Sequence, residues 1–189
     1  AEAGPAKDVP VMPLAEARAA GLIHDIGEPL DERYLAAIAG LVTDLKGDRS
    51  LPIVYTPLHG VGHHLLAQAF ARAGFVNLHT VAEQRDPDGG FPTVRFPNPE
   101  EPGALDLALA LAKEKQAALV IANDPDADRL AVACRHGDAY VQLTGNELGT
   151  LMAHWLLTHD GGDGRLVITT IVSSPLLEAM ARSLGAAYA

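Results

Sequence analysis

Between Leu51 and Leu143 short apolar runs alternate with stretches whose apolar residues recur every third or fourth position, and this alternation is what most limits the folds open to the chain. Leu51-Pro52-Ile53-Val54-Tyr55-Thr56 reads as a strand, His63 to about Ala73 as a helix ended by Gly74, and Val76 to Ala82 as a second strand. Leu105, Leu109 and Ala112 mark another helix, which leads into a strand at Leu119 to Asn123. Strands joined through helices lie parallel in one sheet, with the helices on its faces. Leu130 to Cys134 and Ala139 to Leu143, joined through His136-Gly137-Asp138, read instead as a hairpin. The expected fold is α/β, a mostly parallel sheet with helices on both faces and an added hairpin.

The flanks differ. Residues 1–30 carry Pro5, Pro10, Pro13 and Pro29 with only a short helical stretch near Leu14 to Ala20, and read as a leader or linker. From Asp31 the residues Leu35, Ile38, Val42 and Leu45 recur at helical spacing as far as Lys46, where Gly47-Asp48 closes the helix. Beyond Leu143, Thr144 and Glu147 form a capping-box pair that opens a helix reaching about His159, ended by the run from Asp160 to Gly164. Leu166 to Ile171 reads as a strand, and Ser174 with Pro175 as the start of a helix to Leu184. One strand and two helices are too few for an independent sheet domain. The expected organisation is a leader at 1–30, an α/β domain at 31–143 and a truncated second α/β unit at 144–189, with both ends cut.

With 189 residues, 48% of them hydrophobic, the chain can bury a real core. A formal net charge of −10 and the lack of a basic stripe argue against nucleic acid as a partner, since phosphate backbones are bound through clustered Lys and Arg. No segment is long and apolar enough for a membrane helix, and no secretion signal opens the chain, so no membrane partner and a cytoplasmic location are expected. The single Cys134 excludes an internal disulfide and, inside Leu130-Ala131-Val132-Ala133-Cys134, reads as a packing residue.

The strand at Leu119 to Asn123 runs into Asp124-Pro125-Asp126-Ala127-Asp128-Arg129. Pro125 pushes Asp124 toward extended backbone, and alternate side chains of an extended segment share a face, so the three carboxylates are expected to converge. Carboxylates so close repel unless a cation joins them, and hard oxygen ligands suit magnesium or a similar divalent ion. An EF-hand is excluded because the sixth and twelfth loop positions, Gly and Glu there, are Arg129 and Arg135 here. A solvated acidic turn is the plainer reading of the same residues. The strand that delivers them favours the ion, because open α/β sheets gather ligands at strand carboxyl ends.

Together with Thr56-Pro57-Leu58-His59-Gly60-Val61-Gly62, Phe91-Pro92-Thr93-Val94, Pro97-Asn98-Pro99-Glu100-Glu101-Pro102 and Thr144-Gly145-Asn146-Glu147-Leu148-Gly149, the acidic loop resembles the α-D-phosphohexomutases. This is the phosphoglucomutase and phosphomannomutase group, and the likeness is greatest to its phosphoglucomutase 2 and phosphopentomutase-type branch. It runs from about Asp31 to Leu184 and implies the second of four domains plus the opening of the third. It further implies Asp124, Asp126 and Asp128 as ligands of one Mg2+, completed by a phosphoserine oxygen, and Arg129 as electrostatic support near the phosphate. The simpler reading of Arg129 is a counter-ion to the surplus carboxylates.

By the same resemblance, the intact parent is an isomerase that passes a phosphoryl group from serine to a sugar phosphate through a bisphosphate. No nucleophile is expected here, since Ser50, Ser173, Ser174 and Ser183 lack the serine motif's context. The chain alone is expected to be inactive, and to self-associate through apolar interdomain faces.

Two other readings compete. His59-Gly60-Val61-Gly62 lies between strand and helix where Rossmann proteins hold a pyrophosphate, with Glu83 placed to read a ribose, although Leu65 replaces the third glycine. A non-catalytic interaction domain is the other. A zinc site at His59, His63 and His64 is disfavoured, because no Cys or carboxylate lies at ligand spacing within that segment.

Overall fold

The computed structural model describes residues 4–5, 8–41, 47–159 and 164–189, which fall into two compact units divided between Thr43 and Asp44. The first unit holds α1 (Leu14–Ala19), inside the stretch expected as a leader, and α2 (Glu28–Leu41). These helices bury Ala17 and Leu35 respectively. The second helix starts three residues earlier than Asp31, with Pro29 in its first turn where a missing N–H costs nothing. Val42, Leu45 and Lys46 lie outside the described residues.

The second unit carries β1 (Ile53–Thr56), α3 (His63–Arg72), β2 (Leu78–Thr80), α4 (Asp106–Lys115), β3 (Leu119–Asn123), β4 (Leu130–His136) and β5 (Ala139–Gln142). The sheet order is β2-β1-β3-β4-β5. β1 pairs parallel with β2 and β3, whereas β3–β4 and β4–β5 are antiparallel, the added hairpin. Val54 and Val120 face α4 in a core with Val81, Ala108, Ala112, Ala117 and Ala133, whose small side chains let helix and sheet approach closely. Tyr55 points the other way, as alternation requires, and stacks on His63 of α3 at 6.4 Å between centroids. Helices therefore cover both faces.

Strand lengths depart from the expected runs. β2 covers only Leu78–Thr80, because the chain turns into a short 3₁₀ segment at Ala82–Gln84. Downstream, α5 (Gly145–His159) opens with the expected capping box. The Thr144 N–H and hydroxyl donate to Glu147 Oε2 at 2.8 and 2.9 Å, and the Glu147 N–H donates back to Thr144 Oγ1 at 3.2 Å. β6 is Leu166–Val167 rather than Leu166 to Ile171, since its partner β7 (Ala187–Tyr188), absent from the sequence reading, pairs with it over two residues only. Between them lies α6 (Leu176–Ser183), whose Leu176 N–H donates to Ser174 Oγ at 3.2 Å.

Candidate metal centre

From β1 the chain crosses to one neighbour, β2, and then returns to the other, β3, so the carboxyl ends of β1 and β3 flank a topological switch point. The loops leaving those two strands, 57–62 and 124–129, meet there. The Val61 N–H donates to the Pro125 carbonyl at 2.9 Å, and a β-carbon at Gly60 would lie 2.3 Å from both Pro125 Cα and Pro125 O. Glycine at position 60 is therefore required for contact between the two loops. The N–H groups of His59, Gly60 and Val61 already donate to Gln84 O, Pro57 O and Pro125 O, so these three are engaged within the protein.

Leu58 and His59 stand at φ 47° and 63°, a left-handed pair that bulky residues rarely adopt. A polar network holds them. Thr56 Oγ1 donates to Gln84 Oε1 at 2.6 Å and accepts the Leu58 N–H at 3.1 Å. Gln84 Nε2 donates to Thr93 Oγ1 at 2.9 Å, and His59 Nε2 lies 2.8 Å from the same oxygen. Gln84 and Thr56 are fully buried, and this network fastens the long connection after β2 to the end of β1. Sequence reading names Thr56 only within a strand and a family motif, and does not single out Gln84. Buried polar partners far apart in the chain leave no periodic trace, and the length of the connection was the only signal.

Asp124, Asp126 and Asp128 are brought together, each with a carboxylate oxygen within 4.8 Å of the others. Ligands at about 2.1–2.5 Å from a hard dication can share it when roughly twice that distance apart, so the donor set fits one such ion. It is the only such group of three or more His, Cys, Asp or Glu side chains among the described residues, and His59, His63 and His64 form none. The means of convergence is not the expected extended backbone. The segment turns, with the Ala127 N–H donating to the Asp124 carbonyl at 3.0 Å and Ala127 itself at φ 60°.

The three carboxylates sit in unequal surroundings. Asp124 is 2% exposed, whereas Asp126 and Asp128 face solvent. Burial pushes the Asp124 carboxyl up, but bonds from Arg129 outweigh it and hold the group below its ordinary value: Nε to Oδ2 at 2.6 Å and N–H to Oδ1 at 3.0 Å. Asp128 is pushed up, first by the charge of Asp126 and then by that of Asp124. Arg129 thus serves as a counter-ion. Its side chain remains 52% exposed, and a guanidinium has donors beyond Nε.

A cleft of about 780 Å³ is lined by Thr93, Arg95, Phe96, Glu101 and neighbours, and none of the three aspartates lines it. Among the described residues no helix is long and apolar enough to cross a membrane.

The profile described as "Phosphoglucomutase/phosphomannomutase, alpha/beta/alpha domain II" matches residues 32–137. The chain is 40% identical over 185 residues to "Probable phosphomannomutase" of Haemophilus influenzae, an alignment covering 93% of this chain and 38% of that protein. It is 38% identical over 176 residues to phosphopentomutase of Homo sapiens, covering 87% of this chain and 29% of that one. The solved structure of a phosphoglucomutase/phosphomannomutase family protein from Burkholderia thailandensis superposes with a TM-score of 0.67 at 26% identity, over 84% of this chain and 32% of that one. The chain therefore spans well under half the length of these relatives. With the domain profile matching more than half of its residues, it belongs to the phosphoglucomutase/phosphomannomutase family.

Proposed function

We propose that this chain supplies the divalent-cation arm of a sugar-phosphate mutase, an isomerase that works by phosphoryl transfer. Residues 31–143 would form the second domain of that enzyme and 144–189 the opening of the third, with residues 1–30 as a leader. The observation that carries this reading is the convergence of three carboxylates at the sheet's switch point. The names and greater lengths of the relatives support the parent activity.

Asp124, Asp126 and Asp128 would hold one Mg2+, which when bound acts as a Lewis acid neutralising charge on a transferring phosphoryl group. Asp124 is the fixed member: the two bonds from Arg129 keep it ionised and oriented, and each of its oxygens retains a lone pair for a further partner. Asp126 and Asp128 complete the set from the solvent side. Arg129, half exposed, would meet a phosphate oxygen with its remaining donors. The nucleophilic serine, the sugar-reading loops and the sugar phosphate itself would come from outside these residues.

Calorimetric titration of Mg2+ into the chain tests the assignment. Asp126→Asn removes one ligand charge from an exposed position and should abolish most of the binding heat. Equal affinity in the two proteins would overturn it.

A further inference from the structure

Asn123, the last residue of β3, joins two points that the sequence separates widely. Its Oδ1 accepts the Tyr55 hydroxyl at 3.1 Å, and its Nδ2 donates to the Arg129 carbonyl at 2.6 Å across the mouth of the acidic loop. The amide orientation is fixed by chemistry, because a backbone carbonyl can only accept. Tyr55 is fully buried, and burial pushes its phenol up, so the hydroxyl stays a donor. Gly62 makes room for it, since a β-carbon there would lie 2.7 Å from the Tyr55 oxygen.

The β3–β4 ladder ends at the pair Asn123 and Leu130, where the loop begins. One residue further in, the Asn123 side chain replaces the ladder by holding Arg129 from the carbonyl side, while the Arg129 N–H and Nε hold Asp124. Tyr55 on β1, Asn123 on β3 and Arg129 before β4 thus form one chain of hydrogen bonds that ends on a carboxylate of the acidic trio.

We propose that Asn123, oriented by Tyr55, is a positioning residue that sets the aperture of the acidic loop and through it the affinity of Asp124, Asp126 and Asp128 for a divalent cation. This rests on the metal reading above. The role needs a side chain that accepts on one side and donates on the other, and an amide does both. Asn123→Asp keeps the shape and the acceptor but loses the donor to Arg129. On charge alone, a fourth carboxylate beside the trio would tighten cation binding. If aperture governs, the same substitution loosens it. The two effects have opposite signs.

The test is titration of Mn2+ into the 189-residue chain, followed by the electron paramagnetic resonance signal of the free ion, with far-UV circular dichroism of each protein. Asn123→Asp should raise Kd by about tenfold to a hundredfold, the range typical of lost outer-shell partners, with an unchanged dichroism spectrum. Tyr55→Phe should raise it by less. Asn123→Asp binding as tightly as the wild type, or more tightly, overturns the proposal. If that variant does not fold, Tyr55→Phe decides, since it removes one oxygen and leaves the ring packing in place, and an unchanged Kd overturns the proposal. A wild type that binds no Mn2+ defeats the metal reading and this role with it. A wild type that binds, beside folded variants that bind equally, defeats this role alone.

Discussion

At position 60 a side chain would have to occupy space held by the backbone of Pro125, which has no flexible end to swing away. Gly60→Ala should therefore destabilise the chain by about 1–3 kcal/mol, the usual cost of forcing a methyl group into a packed site. Urea unfolding measures this, and an unchanged midpoint would mean that the two loops are not in contact. The same substitution should weaken Mg2+ binding, because any relief must displace the acidic loop. The convergence of Asp124, Asp126 and Asp128 was legible in the sequence: Asp at alternate positions after an apolar run is a local signal. Their geometry was not, because Ala127 takes a left-handed conformation that its residue type does not announce. Asn123 and Gln84 were also hidden, since each acts through partners brought near only by the assembled sheet.

Helix α5 owes its start to Thr144 and Glu147. The Glu147 carboxyl is held below its ordinary 4.5, first by the Thr144 backbone N–H and then by the Thr144 hydroxyl. A group whose pKa falls on folding stabilises the native state fully above its unfolded value and loses that contribution as pH drops through the lower folded one. The difference in melting temperature between wild type and Glu147→Ala should therefore be constant near neutrality and shrink below about pH 4.5. A difference that persists at pH 2 would show that the carboxylate is not responsible. Thr144→Ala should cost about 1 kcal/mol, as lost N-caps do, read from thermal melts. This helix start was readable because its partners are three residues apart. The lengths of β2 and β6 were not, because a strand extends only as far as a neighbour pairs with it, and β7 carries no apolar run to reveal it.

For the second unit as a whole, Leu151, Met152, Trp155 and Leu156 form an exposed stripe on α5, and Ile171 and Val172 are also open to solvent. Apolar area of this kind drives association. Sedimentation of the chain should show self-association that grows with concentration and is reduced by Leu151→Glu with Leu156→Glu. A concentration-independent monomer would contradict this. A coupled assay with glucose 1-phosphate should show no turnover by the chain alone, and measurable conversion would refute the proposal that the nucleophile is supplied elsewhere. Apart from β7, the order of strands and helices was legible at this scale because each crossover helix carries its own period and each hairpin its own turn. The contact of Gly60 with Pro125 also bears on protein engineering. The acidic hexapeptide is held by a neighbouring turn as well as by its own internal bonds, so grafting it alone onto a foreign scaffold would leave that outer support behind. Only a transplant that moves both turns, with the tyrosine and asparagine beneath them, carries the whole device.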